Sequence, residues 1–401
     1  MLFGRRVDTT GIYDLKVPPR DGRCRHCDTL PGIFKRAGYR TIGIGKISHG
    51  RAWSADLGHD GTSLSWSEAH IDFDDQYGTG GFFCDSLGQN CSSQRSQSSP
   101  WRFVRQPTQP MNSTRLLSEA DEAVGAMADA QVVDHALLKL GELTAAVETR
   151  PWLLAVGLHQ PHLPFVAPQR SYAPYSDDEA VALARHGYCP WGLPTKAFAS
   201  FEMSSFLDVP RWFAGEYARC NQTLDDATAR RLRRGYYASV THVDEQIGRL
   251  LRGLRDANGG AAWNAVTCIW SDHGFELGEH GSWSKHTLWH VTTRIPLLLR
   301  VPGTTPAAGA ISDGLVEALD IMPTVWQAAT GGTLDTCPGE RPWEPRNCTE
   351  GVSFLPLAAE PHSASGWKRL VLSQYLRRST GVMGYSMTTH DGVRFTRAVK
   401  R

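Results

Sequence analysis

Several absences narrow the reading before any motif does. No apolar run approaches the roughly 18 residues that a membrane helix needs, which argues against a spanning helix. Charge of one sign is also missing. Lys and Arg total 42 and Asp and Glu total 41, a net charge of +1, so no global field favours nucleic acid or an anionic membrane. The opening has no signal-peptide core, because Met1-Leu2-Phe3 runs straight into Gly4-Arg5-Arg6. Cys24-x-x-Cys27 has no second C-x-x-C to answer it, which argues against a four-cysteine zinc site and leaves a redox, structural or unpaired role. The nine cysteines are odd in number, so at least one has no partner within the chain.

What is present has the composition of a soluble globular protein. The 401 residues are 41% hydrophobic and suffice for a full core in two or three units. Four glycosylation sequons occur, at Asn90, Asn112, Asn221 and Asn347. Two overlap close cysteine pairs in polar loops, Cys84 with Cys91 and Cys337 with Cys348, as suits an oxidising compartment. A secretory-pathway location, lysosomal or extracellular, is therefore expected, and with it further sequence upstream of Met1.

The chain is organised around Trp263 to Pro296. An apolar run, Ala265 to Trp270, stops at Ser271-Asp272-His273-Gly274, and His280, Lys285, His286 and His290 follow. Open α/β sheets place chemistry where a strand ends in such a loop. Asp272 and His273 can both donate to a metal, and glycines at 274, 278 and 281 permit tight turns. The plain alternative is a strand-to-loop turn with surface histidines. Two more strand exits carry similar residues. Tyr39 to Ile44 leads into Gly45-Lys46-Ile47-Ser48-His49, where lysine and histidine could reach one anion or form a solvated loop. Trp152 to Leu158 leads into His159-Gln160-Pro161-His162-Leu163-Pro164-Phe165, whose prolines should hold the loop extended, with one of the two histidines facing inward.

Between these strands, helices are expected at Leu30 to Ala37, from Val132 through about residue 147, at Asp225 to Asp256 and at Val316 to Ala329. In the Asp225 to Asp256 helix, Tyr236, Val240, Val243, Ile247, Leu250, Leu251 and Leu254 share a face, and Asp244 reads as a surface charge. The first residues read as the tail of a helix, Ser118-x-x-Asp121 as a cap, Ser92 to Pro100 as a mobile loop, and 166 to 224 as an aromatic-rich rim. Ile295 to Val301 reads as a buried strand. Leu370 to Tyr375 and Met383 to Val393 read as strands, with His390-Asp391-Gly392 a hairpin turn. The order implies an α/β sheet followed by an antiparallel addition.

The blocks G-R-R-V-D-T-T-G-I-Y-D, A-G-Y-R-T-I-G-I-G-K-I-S-H, V-G-L-H-Q-P-H-L-P-F, Y-Y-A-S-V-T-H-V-D-E-Q-I-G-R-L-L and S-D-H-G-F-E-L-G-E-H-G-S-W-S-K resemble, in order, those of the sulfatases. The resemblance covers most of residues 4 to 385. It implies an alkaline phosphatase/sulfatase-like mixed sheet flanked by helices, with the core over 1–360 and a partial antiparallel β subdomain over 361–401. It implies a calcium-assisted sulfuric ester hydrolase acting on sulfated sugars of glycosaminoglycan-like glycans, pointing to a 2-sulfated uronic acid. By motif position, Asp272 and His273 would be metal ligands, and Lys46 and Lys285 would hold sulfate oxygens. His49 would orient or deprotonate the formylglycine hydrate, and His162 would protonate the leaving oxygen. His159 and His286 would be neighbours.

The sequence departs from the family pattern in two places. None of the nine cysteines lies in C-x-P-S-R, the motif converted to formylglycine, and no apolar strand ends in Asp-Asp. The adjacent pairs Asp74-Asp75, Asp177-Asp178 and Asp225-Asp226 follow no such strand. The expectation is a chain cut short at both ends, lacking its first strand, with the formylglycine-generating enzyme a partner only of a complete chain. A non-catalytic glycan-binding protein and a phosphatase or phosphodiesterase of the same superfamily are the alternatives.

Overall fold

The structure, a computed structural model, describes residues 2–14, 17–49, 56, 63–71, 114–117, 127–145, 148–177, 180–193, 223–306, 309–363, 366–377, 382–389 and 394–400. The expected Cys84–Cys91 pair, the 92–100 loop, the cap at Ser118 and the turn at His390 lie outside the described residues.

In chain order the main elements are α1 (Val7–Thr10), α2 (Leu30–Arg36), β1 (Arg40–Gly45), β2 (Thr114–Leu117), α3 (Ala128–Leu143), β3 (Trp152–Gly157) and β4 (Phe165–Pro168). Then come α4 (Asp226–Asp256), β5 (Thr267–Trp270), β6 (Glu276–Leu277), β7 (Trp283–Ser284), β8 (Leu297–Arg300), α5 (Ile321–Thr330), β9 (Leu370–Arg377), β10 (Val382–Thr389) and β11 (Arg394–Lys400). β1 and β3 pair in parallel from Arg40↔Trp152 to Gly45↔Gly157, and β2 pairs in parallel with β4. β5 and β8 are antiparallel, and β9, β10 and β11 form an antiparallel meander.

The alternation of a strand's side chains builds the layers. On β3, Leu154 and Val156 join Ile42 and Ile44 of β1 against Val132, Ala136 and Leu143 of α3. Leu153 points the other way, into a cluster of Leu30, Ile33 and Phe34 from α2 with Ile321 and Met322 from α5. Cys268, Trp270, Leu297 and Leu299 of the β5–β8 pair enter that second cluster. Helices thus cover both faces of the strands, the α/β arrangement expected. Each fully buried Ile or Phe here contributes about 1.5–3 kcal/mol. The helix starts follow local chemistry. Thr29 accepts the Gly32 amide and Pro31 sits in the first turn of α2, while Asp225 accepts the Thr228 amide to cap α4. Asp225-Asp226 is thereby a helix start.

Several expectations are corrected. The buried face of α4 runs through Leu232, Gly235, Ala238, Ser239, His242 and Gln246, with Leu254 further on, and Val240 is exposed. The reason is close approach. A Cβ on Gly235 would sit 2.6 Å from Thr114 Cγ2, so small and polar residues take the contact and the aliphatic stripe lies beside it. Asp244 is exposed as expected. The apolar strands β3 and β5 are only half-buried, and Leu298 of β8 is exposed. The first residues are turn and bend before the single turn α1, because Gly4 at φ +57 breaks any helix there. Asp320 closes a 3-10 turn (Ala318–Asp320) by accepting the Glu317 amide, so α5 starts only at Ile321.

Candidate active site

The first wall of the site is where β1 and β3 leave the sheet together. Gly45 and Gly157 are register partners. Gly45 has φ +76, and a Cβ there would meet the Gly157 carbonyl oxygen at 2.2 Å. A Cβ on Gly157 would meet the Lys46 oxygen at 1.9 Å. Only glycine at both positions lets the chains touch as they diverge. The Lys46 amide donates to the Gly157 carbonyl at 2.9 Å, so Lys46 starts from a fixed point, and half-buried His49 follows in the bend beyond it.

Beyond β3 the loop is a turn, which corrects the extended conformation expected of its prolines. The His162 amide donates to the His159 carbonyl at 3.1 Å, and the two rings stand 5.0 Å apart. The two histidine rings therefore lie side by side. Asp129, in the first turn of α3 and 2% exposed, accepts the His159 amide at 2.7 Å and the Gln160 amide at 2.9 Å. Sequence reasoning missed it. A carboxylate in a first helical turn is a cap signal, but nothing local says that it serves a strand exit thirty residues on. His162 turns Nδ1 to the Leu163 carbonyl at 2.7 Å, which places the ring hydrogen there and leaves Nε2 with the lone pair.

The second wall is the loop from Ser271 to Trp289. Gly274 is required for proximity and not for a positive φ. A Cβ would sit 2.1 Å from the Val291 carbonyl oxygen, and the Gly274 amide donates to Thr292 at 2.8 Å. Gly278 and Gly281 do turn at positive φ. Ser284 (φ 79) and His286 (φ 74) do the same without being glycine, one on each side of Lys285. Such residues cost about 1–3 kcal/mol each and cluster at functional sites. The loop is held by buried Glu276, which His280 contacts at 3.3 Å and Thr287 at 3.4 Å, while His280 stacks on Trp289 at 4.0 Å. Burial, partly offset by His280 and Ser282, raises the Glu276 carboxyl. His280 is thus a loop brace. His286 lies 5.3 Å from the Tyr375 ring on β9, and exposed His290 opens a helical turn whose Thr292 is buried.

The walls meet electrostatically. Burial, with the charges of Lys285, His159 and Lys46, pushes the His162 imidazole well below its usual value. Burial works to raise the Asp272 carboxyl, but His273, Lys46 and Lys285 outweigh it and hold it low. The Asp272 side chain is 68% exposed, so that burial is crowding by neighbouring protein atoms and not closure to water. Lys46, His159, His162, Asp272, His273 and Lys285 therefore converge from three strand exits. His273 directs Nδ1 to the Gly274 carbonyl at 2.8 Å, and its Nε2 faces Asp272 at 3.6 Å. One carboxylate and one imidazole fall short of the 6–8 oxygen ligands that calcium takes. Among the described residues no group of three or more His, Cys, Asp or Glu could hold a metal ion.

Comparison with known proteins identifies the family and the fold. The Sulfatase family model matches residues 1–332. Iduronate 2-sulfatase of Mus musculus is 28% identical over 434 residues, covering 97% of this chain and 73% of its own length. Two solved structures share the fold. One is a protein in complex with its substrate D-glucosamine-2-N,6-O-disulfate, with a TM-score of 0.59 at 16% identity, covering 100% of this chain and 79% of that one. The other is a phosphonate monoester hydrolase of Agrobacterium radiobacter, with a TM-score of 0.59 at 17% identity, covering 97% of this chain and 80% of that one.

Proposed function

The chain belongs to the sulfatase family, whose members are sulfuric ester hydrolases, and from that premise we propose that its cleft binds a sulfated sugar, with a 2-sulfated uronic acid the preferred ligand. One observation carries the reading: Lys46, at the exit of β1, and Lys285, in the loop after β5, both act electrostatically on His162 and on Asp272. Two ammonium groups acting on one carboxylate and one imidazole suit the oxygens of one sulfate.

The residues divide the work. Lys46 and Lys285 hold the sulfate and stabilise charge developing on it. His162 supplies the proton to the leaving sugar oxygen. Neutral His162 offers Nε2 as a lone pair, so it must first gain a proton, and an adjacent sulfate favours that gain. His49 orients the attacking hydroxyl. The family draws that hydroxyl from C-x-P-S-R, which has no counterpart among the nine cysteines. Sulfatases use a metal ion. Asp272 and His273 are the candidate ligands and Ca2+ the candidate ion, but their donor set is too small to hold it unaided. Disulfide-bonded Cys189, the Cys337–Cys348 bond and exposed Asn347 in its sequon support a place in the secretory pathway.

The test is calorimetric titration with a 2-O-sulfated uronate disaccharide and its unsulfated twin, alongside hydrolysis of an aryl sulfate and an aryl phosphate. Selective binding of the sulfated sugar, lost in Lys285→Ala, is expected. Equal binding of both sugars, or faster turnover of the phosphate, overturns the reading.

A further inference from the structure

The C-x-x-C of the N-terminal segment has no part in the cleft, yet it does not stand alone. Cys24 and Cys27 are buried free thiols, and the Cys27 amide donates to the Cys24 carbonyl at 3.0 Å, closing the turn between them. Across from them lies the Cys337–Cys348 disulfide, more than three hundred residues later in the chain. Arg5, only 3% exposed, joins the two pairs. Its Nη1 donates to Cys24 Sγ at 3.2 Å, its Nε to Cys337 Sγ at 3.3 Å, and its Nη2 to Cys348 Sγ at 3.0 Å. One guanidinium therefore touches a thiol and both sulfurs of a disulfide. Cys27 donates to the Trp343 carbonyl at 3.5 Å, inside the loop that the disulfide closes. The two loops are zipped beside it. The Asp28 amide donates to Arg346 at 2.8 Å, and Arg346 Nε pairs with Asp28 at 3.1 Å.

We propose that Cys24, Cys27, Cys337 and Cys348 form an internal thiol–disulfide exchange site, with Arg5 as its electrostatic pivot. The Cys24 thiolate attacks Cys348 Sγ. The Cys24–Cys348 bond forms, the Cys337–Cys348 bond breaks, and Cys337 leaves as a thiolate that takes up the proton Cys24 gave. Cys27 then attacks Cys24 Sγ, so that a Cys24–Cys27 disulfide forms and Cys348 leaves as a thiol. Two electrons pass from one pair to the other, so no outside oxidant is consumed. The intermediate staples the N-terminal segment to the 337–350 loop, which is otherwise held there by hydrogen bonds from Thr349 and Glu350 to the Gly4 carbonyl.

Arg5 has two roles. Its charge stabilises each thiolate in turn, and its contact with Pro345 O at 2.6 Å keeps the loop seated while sulfurs change partners. The groups acting on Cys24 are Arg5, Glu350 and Arg20. Burial raises its thiol above the usual value, and Arg5 only partly offsets that. Exchange is therefore slow at neutral pH and speeds up about tenfold per pH unit below the thiol pKa, since the thiolate is the nucleophile.

The experiment is peptide mapping of the 401-residue chain after acid quench and alkylation, and it is independent of any sulfatase activity. In Cys27→Ser the second step is blocked. The expected result after incubation at pH 8.5 is a peptide joined through Cys24 and Cys348, with Cys337 alkylated. Alkylated Cys24 beside an intact Cys337–Cys348 bond overturns the proposal. Should that variant not fold, the wild-type chain is shifted from pH 5 to pH 8.5 without oxygen or oxidant, after one equivalent of dithiothreitol if both pairs begin oxidised. Both pairs should then share the two electrons, each gain in Cys24–Cys27 matching a loss in Cys337–Cys348. Electrons confined to one pair overturn it.

Discussion

Two charge clusters in this molecule use similar residues to opposite ends. At the base of α5, Lys368 meets Glu317 at 2.9 Å and Asp320 at 2.7 Å, and Arg6 meets Glu317 at 2.8 Å. Backbone amides complete the set, with Val352 donating to Asp320 at 2.7 Å and Leu372 to Glu317 at 3.1 Å. Every charge in that hub answers another at contact distance, and Asp320 is fully buried. In the cleft, Lys46 and Lys285 reach Asp272 and His162 through space, across an exposed carboxylate. The hub is closed and fastens the N-terminal segment to the C-terminal half. The cleft instead keeps its Asp272 carboxylate 68% exposed. Burial, more than residue type, separates the structural cluster from the candidate binding one.

The sharpest way to break this contrast is to remove one cation from each cluster. Lys368→Ala leaves a fully buried Asp320 without its cation, while Arg6 still answers Glu317, which should cost about 3–5 kcal/mol of stability. Denaturant unfolding reads that loss, and sulfate binding by the folded fraction should be unchanged. Lys285→Ala should do the reverse. Its expected loss is about 10²–10³-fold in turnover where turnover is measured, with abolished preference for the sulfated sugar and an unfolding midpoint near wild type. If Lys368→Ala weakens sulfate binding as much as Lys285→Ala does, the division between the clusters is wrong.

A smaller effect tests whether the cleft has a closed component of its own. Asp129→Ala strips the partner from two backbone amides at His159 and Gln160, at about 1–3 kcal/mol for each group left buried without an acceptor. Amide hydrogen exchange at those two positions should accelerate while exchange in β1 stays slow. Unchanged protection at His159 would mean that the turn holds itself together and that Asp129 is incidental.

The sequence carried the parts of the cleft that are local. Lys46, His162 and the Asp272-His273 pair each sit where an apolar strand ends, and a period change marks such a point without any structure. The hub was illegible, because Arg6, Glu317 and Lys368 meet only in the folded chain, with more than three hundred residues between Arg6 and the other two. The same limit hid Asp129. The His159 loop was misread for a different reason: proline restricts the backbone, but the hydrogen bond from His162 to His159 closes a turn that composition does not announce. The buried face of α4 was misplaced because close packing at Gly235 favoured small side chains over the aliphatic stripe.

Acid separates the clusters last and most gently. The His162 imidazole is held well below its usual value by burial and by Lys285, His159 and Lys46. The unfolded chain then binds more protons than the folded one as pH falls below about 6.5. Stability from the neutral imidazole is full above that pH and is lost on the way down to the folded pKa, at no more than about 1.4 kcal/mol per pH unit. The hub behaves otherwise. Burial works to raise Glu317, but Arg6 and Lys368 outweigh it and hold it low, so its contribution is full above the unfolded value of about 4.5 and fails only below it. Between pH 6.5 and about 4.5 the cleft should soften while the hub holds. His162→Gln should flatten the stability profile in that window alone, leaving the loss below it intact. Sulfate should stabilise the wild type more at pH 5.5 than at pH 7.5, because the anion favours the protonated ring. A profile unchanged by His162→Gln would assign the acid loss to His135 or His242, whose imidazoles burial also holds low, and would take His162 out of the comparison.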